Sequence, residues 1–134
     1  MFQALRLLRS CPEQESAAYM VLDFADAFKQ LRVAPDEQTF LAGRWPQGWF
    51  RYMTVMFGIA SGPLVWGRVA AALMRLGQST LQDEGCLACY VDDPIMSTRG
   101  VGDELLIKQF RVALLWTALG FKMAWTKCQN WYFG

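Results

Sequence analysis

The chain has 134 residues, the size of one domain, with 54 % hydrophobic and 19 % charged residues. It contains no histidine, which excludes Ser-His-Asp and Cys-His nucleophile chemistry and His-ligated zinc. Lys and Arg number 13 against 12 Asp and Glu, a net charge of +1, so charge alone does not announce a nucleic-acid partner.

Residues 1–16 read as a weakly specified helical lead-in, with Arg6 and Arg9 among Phe2, Leu5 and Leu8. Ala18 to Phe24 is an apolar run, a candidate buried strand. Asp26 to Leu31 reads as a short helical turn. Thr39–Ala42 and Trp49–Val55 are extended runs around Gly43-Arg-Trp-Pro-Gln-Gly48, where Pro and Gly predict a hairpin. Ser61-Gly62-Pro63 is a helix start with Pro at the first helical position. That helix is expected to reach about Leu76, with Leu64, Val65, Val69, Leu73 and Leu76 on one side.

Cys86–Val91 and Ile95–Ser97 are short runs flanking Asp92-Asp93, a second hairpin. Asp103-Glu104 opens another helix, where acids suit the positive end of the dipole, and Gly120 caps it after Leu119. Phe121 to Phe133 reads as extended. The order is roughly βαββαββαβ, an α+β sheet with helices packed on one face.

Cys86 and Cys89 have the C-x-x-C spacing of a redox or zinc site. If the segment is a strand, positions three apart face opposite ways and the sulfurs cannot share a metal. Reduced thiols and an intracellular setting, cytoplasm or nucleus, are then the expectation. No apolar run reaches the roughly 18 residues needed to span a bilayer, so no membrane partner is expected. The 6 Trp and 9 Phe imply surfaces that pack on something else.

Asp23 closes the first apolar strand, and Asp92 and Asp93 occupy a tight turn. If both strands lie in one sheet, three carboxylates converge. Such a cluster repels itself unless a divalent cation neutralises it. Oxygen-only donors favour two Mg²⁺ ions, or Mn²⁺, over zinc. Taken singly, an Asp-Asp turn is ordinarily just solvated, since Asp is a favoured turn residue.

The ordered set of motifs is more specific. Val21-Leu-Asp23-Phe-Ala-Asp26-Ala-Phe28, Met56-Phe-Gly58-Ile-Ala-Ser-Gly-Pro63, Tyr90-Val-Asp92-Asp93, Leu119-Gly-Phe-Lys-Met-Ala-Trp-Thr-Lys127-Cys128 and Trp131-Tyr-Phe-Gly134 follow one another in the chain. In order and spacing they resemble the palm of reverse transcriptases of the retrovirus and LTR-retrotransposon kind. The resemblance implies a polymerase palm-like antiparallel sheet, with residues about 35–56 as a fingers-like hairpin. It implies RNA-directed DNA polymerase chemistry on a template with primer, with dNTP as substrate.

It also implies roles. Asp23 and Asp92 hold two Mg²⁺ ions, Asp93 is a third and less critical carboxylate, and the Phe24 carbonyl adds a ligand. The N–H groups of Asp26 and Ala27 face the triphosphate. Phe28 stacks under the sugar and blocks a 2′-hydroxyl. Phe57 and Gly58 line the nucleotide pocket, and Lys127 is a candidate proton donor to pyrophosphate. Each has a plainer alternative: Phe28 as core, Lys127 as a solvated end, Gly58 as a turn glycine.

The chain departs from the pattern at Pro94, which cannot donate to a ladder, so the strand after the aspartates is expected to start later or lie at an edge. Ser61-Gly62 stands where related elements often carry Asn-Ala. Only 22 residues precede Asp23, so upstream fingers and a downstream thumb are expected to lie outside a single partial domain spanning 1–134. Two other readings compete: an RNA-dependent RNA polymerase palm, against which bulky Phe28 argues, and a decayed or domesticated fragment that binds without catalysis.

Overall fold

A computed structural model describes residues 15–133. The expected helical lead-in therefore lies outside the described residues, apart from Glu15 and Ser16, which are not helical. Among the described residues six strands and two α-helices follow in order: β1 (Ser16–Val21), β2 (Ala42–Trp45), β3 (Gly48–Arg51), α1 (Gly62–Leu81), β4 (Gly85–Tyr90), β5 (Asp93–Gly100), α2 (Glu104–Ala118) and β6 (Gln129–Phe133). Short 3₁₀ turns cover Ala27–Gln30, Gln38–Leu41, Gln82–Glu84 and Trp125–Lys127. The fold is α+β.

The main sheet has the order β4-β5-β1-β6 and is antiparallel throughout. Its register pairs Ala18 with Thr98, Met20 with Met96 and Leu87 with Met96. Strand alternation puts these side chains on one face. The helices cover that face. A Cβ on Gly77 of α1 would stand 2.6 Å from Leu87 Cδ1, and Gln109 of α2 donates to Thr98 Oγ1 at 3.1 Å. Between sheet and helices lies the core, built on Met20, Leu22, Phe24, Trp66, Leu73, Met96, Val112 and Trp116. Residues of opposite parity, including Tyr19, Val21, Ile95 and Asp93, face away from the helices. Cys86 and Cys89 fall on opposite faces of β4, as strand geometry requires.

Several expected boundaries move. The first hairpin closes on Pro46-Gln47, inside the stretch read as its loop, and Thr39–Leu41 is part of a 3₁₀ turn. Proline's fixed φ suits a turn position and not a ladder. The second hairpin turns on Val91-Asp92, so Asp93 is already the first residue of β5. Pro94 lies inside β5, an interior strand, contrary to the expected late start or edge. Its carbonyl accepts the Leu22 N–H at 3.0 Å. In an antiparallel strand a residue's N–H and C=O point the same way. Pro94 therefore forfeits one bond to the β1 side, just past the end of β1, and none to β4.

Helix α1 runs through Leu81, beyond the expected stop near Leu76. Its buried stripe is Gly62, Trp66, Ala70, Leu73, Gly77 and Leu81. Leu64, Val65 and Leu76, expected on the packed side, are exposed. Leu73 is buried and Val69 packs against the core as expected, but close approach also selects the inner face: Gly77 sits where α1, β4 and α2 meet. The final segment is extended only at its two ends, because Trp125–Lys127 forms a 3₁₀ turn.

Candidate active site

Asp23 follows β1 at a point where the backbone is held from both sides. The Phe24 N–H donates to the Asp92 carbonyl at 3.0 Å, and the Ala124 N–H donates to the Asp23 carbonyl at 2.8 Å. Phe24 and Met123 form an antiparallel bridge, reinforced by Ala25 N–H to the Lys122 carbonyl at 2.9 Å. The end of β1 is thus clamped between the Val91-Asp92 turn and the 122–124 segment. The Phe24 carbonyl leaves the extended backbone on the side of its N–H, toward the Asp92 turn.

This clamp gathers the sequence-predicted carboxylates. Burial, then the negative charges of Asp92 and Asp23, raise the Asp93 carboxyl above its ordinary value, while Lys127 lowers it. Lys127 Nζ donates to Asp23 Oδ2. The lysine side chain is 66 % exposed and the Asp23 side chain only 15 %. That bond and the acids beyond it raise the Lys127 ammonium, so it carries its proton at neutral pH.

The donors are all oxygen, which suits Mg²⁺ or Mn²⁺, and the crowding at Asp93 is what a cation would relieve. The convergence is looser than a cage, however. Among the described residues no three His, Cys, Asp or Glu side chains are grouped closely enough to hold a metal ion. The ammonium of Lys127 takes up the Asp23 carboxylate instead.

The predicted nucleotide residues form a second group. Asp26 is left-handed at φ 51° and opens the Ala27–Gln30 turn. Lys29 Nζ donates to Asp26 Oδ1 at 2.7 Å, and this bond lowers the Asp26 carboxyl. Neither the Asp26 nor the Ala27 N–H donates to another backbone group among the described residues. Phe28 is buried, with its ring 5.1 Å from Phe57 and 6.3 Å from Trp66. Phe57 is exposed above it. Gly58 has φ +93°, which explains a glycine at that position.

Two residues carry these groups without a signal in the sequence. Gln30 Nε2 donates to the Ala25 carbonyl at 2.7 Å and the Lys122 carbonyl at 3.0 Å, and its Oε1 accepts the Lys122 N–H at 2.7 Å. It ties the Ala27–Gln30 turn to a segment 92 residues away. Trp66 donates from α1 to the Val91 carbonyl at 2.7 Å. A glutamine ending a short turn and a tryptophan in a helix both read as ordinary. Only the fold reveals their partners.

No helix among the described residues is long and apolar enough to cross a membrane. A family model described as "Reverse transcriptase (RNA-dependent DNA polymerase)" matches residues 2–132. No curated protein matches the chain.

Proposed function

The chain belongs to the reverse transcriptase (RNA-dependent DNA polymerase) family, and from that membership we propose that it is the palm of an RNA-directed DNA polymerase of the retrovirus and LTR-retrotransposon kind. The reaction is attack of a primer 3′-hydroxyl on the α-phosphorus of a dNTP, with pyrophosphate leaving. The observation that carries the reading is the Phe24 N–H bond to the Asp92 carbonyl. It brings the end of β1 beside the Val91-Asp92 turn, so Asp23, Asp92 and Asp93 share one neighbourhood.

Asp23 and Asp92, joined by Asp93 and the Phe24 carbonyl, would hold Mg²⁺ or Mn²⁺. When bound, such ions activate a hydroxyl and stabilise charge developing at phosphorus. The chain's own groups supply positioning. The free N–H groups of Asp26 and Ala27 face the triphosphate, and Phe57 and Gly58 border the base and sugar. Phe28, packed against Phe57, forms the floor that excludes a 2′-hydroxyl. Lys127 Nζ holds a proton beside the carboxylates, suited to release toward pyrophosphate. Residues 1–134 act with fingers and thumb segments that grip template and primer, residues about 35–56 being part of the fingers.

Asp92→Asn tests this in the polymerase that carries the segment, on poly(rA)·oligo(dT) with Mg²⁺. Loss of a carboxylate that would hold the metal lowers nucleotide addition by about 10³-fold or more. Retention of more than a tenth of the activity removes Asp92 from the site.

A second reading is a non-catalytic fragment that binds nucleic acid or a partner. The Lys127–Asp23 ion pair and the open carboxylate group favour it. Titration with Mn²⁺ separates the two: saturable binding lost in Asp92→Asn supports the polymerase, and no binding supports the fragment.

A further inference from the structure

Trp66 lies in the second turn of α1 and is 1 % exposed. Its ring meets Phe24 edge-on at 5.3 Å, so it belongs to the core. Packing alone needs only the ring. The indole also has one polar group, and that N–H donates to the Val91 carbonyl at 2.7 Å.

Val91 is the first residue of the turn that carries Asp92, and its φ is +57°. Two-residue hairpins of this sense normally put glycine there, because a β-branched side chain crowds its own backbone at positive φ. The Val91 side chain therefore works against the conformation observed at its own position. The Phe24 N–H to the Asp92 carbonyl holds one side of it, and the Cys89 thiol makes a weaker contact of 3.4 Å with the Val91 carbonyl. The short bond from Trp66 is the strong hold on the strained residue itself.

We infer that Trp66 is a positioning residue. Its indole N–H pins the Val91 carbonyl, keeps a strained turn in place and so fixes where the Asp92 carboxylate stands. The inference rests on the reading of Asp92 as the functional carboxylate, but the clamp is also measurable without activity.

Trp66→Phe removes the N–H and keeps an aromatic ring in the cavity. The deciding measurement is amide exchange in the 134-residue chain. Freed from its clamp, the turn carries the Asp92 carbonyl away from the Phe24 N–H, and the Phe24 amide exchanges about tenfold faster or more. Amides of the core strands, such as Met96, keep their wild-type rates. In the polymerase carrying the segment, Trp66→Phe lowers kcat about tenfold or more while KM for dNTP stays within about threefold, because carboxylate placement matters in the chemical step. Adding Val91→Gly removes the strain and restores most of the lost kcat. An unchanged Phe24 rate overturns the inference whatever happens to kcat. So does faster exchange throughout the core, which makes Trp66 a packing residue only. Wild-type protein as inactive as Asp92→Asn refutes the polymerase reading instead, and the Phe24 exchange rate then decides for or against the clamp by itself.

Discussion

The two hairpins share a design and differ in everything around it. Each closes on two residues, Pro46-Gln47 in one and Val91-Asp92 in the other. The first forms its own two-stranded sheet, and every residue of β3 is exposed, Trp49 at 77 %. The second has β1 beside β5, α1 against β4 and α2 against β5. An isolated hairpin is marginal in water, and the first presents Arg44, Trp45, Trp49 and Arg51 to solvent, with the Phe50 ring over Gly43 and edge-on to Tyr52. The second is supported so fully that it sustains a valine at positive φ and a proline inside a central strand. Placing a carboxylate to a fraction of an ångström requires the second kind of setting. An adaptable apolar and basic surface requires only the first.

The largest effect that tests this contrast comes from tryptophans on either side of it. Trp116 is fully buried under the second hairpin, and its indole N–H donates to the Leu73 carbonyl at 3.0 Å. Trp116→Ala costs about 3–5 kcal/mol of stability through the cavity it leaves. Trp49→Ala changes stability by no more than about 0.5 kcal/mol. Urea unfolding of the two variants measures both. Comparable losses would mean that the first hairpin is packed against the body after all.

Glycines give a smaller and sharper pair. A Cβ on Gly77 would meet Leu87 Cδ1 at 2.6 Å and Val112 Cγ1 at 3.0 Å, in a core closed on three sides. A Cβ on Gly43 would meet Phe50 Cζ at 2.5 Å, which is as close. Phe50 is 41 % exposed, however, and its ring can swing into solvent. Gly77→Ala therefore costs about 1–3 kcal/mol, as overpacking does, and Gly43→Ala well under that. Equal costs would refute the claim that surroundings, not local geometry, separate the hairpins.

The same contrast decides what the sequence reveals. The carboxylate motifs, the α+β class and the presence of both hairpins are legible because turn residues and apolar runs act locally. The inner face of α1 is not, because Gly77 and Ala70 are selected by the closeness of β4 and α2, while Leu64 and Leu76 are left outside. Pro94 misleads for a related reason: proline is excluded only from positions that donate, and register decides which these are. Thr39–Leu41 misleads because the Pro46-Gln47 turn takes the centre of the stretch that looked like loop. The Trp66 and Gln30 bonds join segments 25 and 92 residues apart, and neither spacing has a local signature. Nor does the sequence show that Lys127 pairs with Asp23.

The smallest expected effect reads the charge of the second hairpin through a thiol within it. Burial, then Asp92 and Asp93, push the Cys89 thiol up to about 11. At pH 8 roughly one molecule in 10³ then carries the reactive thiolate, and alkylation is slow. Asp92→Asn removes one of the negative charges that disfavour the thiolate. The thiol pKa falls, and alkylation at fixed pH speeds up by a few-fold. On the proposed function a divalent cation held by the carboxylates would act in the same direction, so Mg²⁺ is expected to accelerate labelling of the wild-type chain and not of Asp92→Asn. Cys128 supplies the control, since burial alone raises its thiol, and neither the substitution nor the cation changes its rate. Mass spectrometry of iodoacetamide-treated protein over pH 8–11 gives both rates at once. If Cys89 responds no more than Cys128, the aspartates do not share the neighbourhood that the fold assigns them, and the second hairpin loses its claim to be the one that places charge.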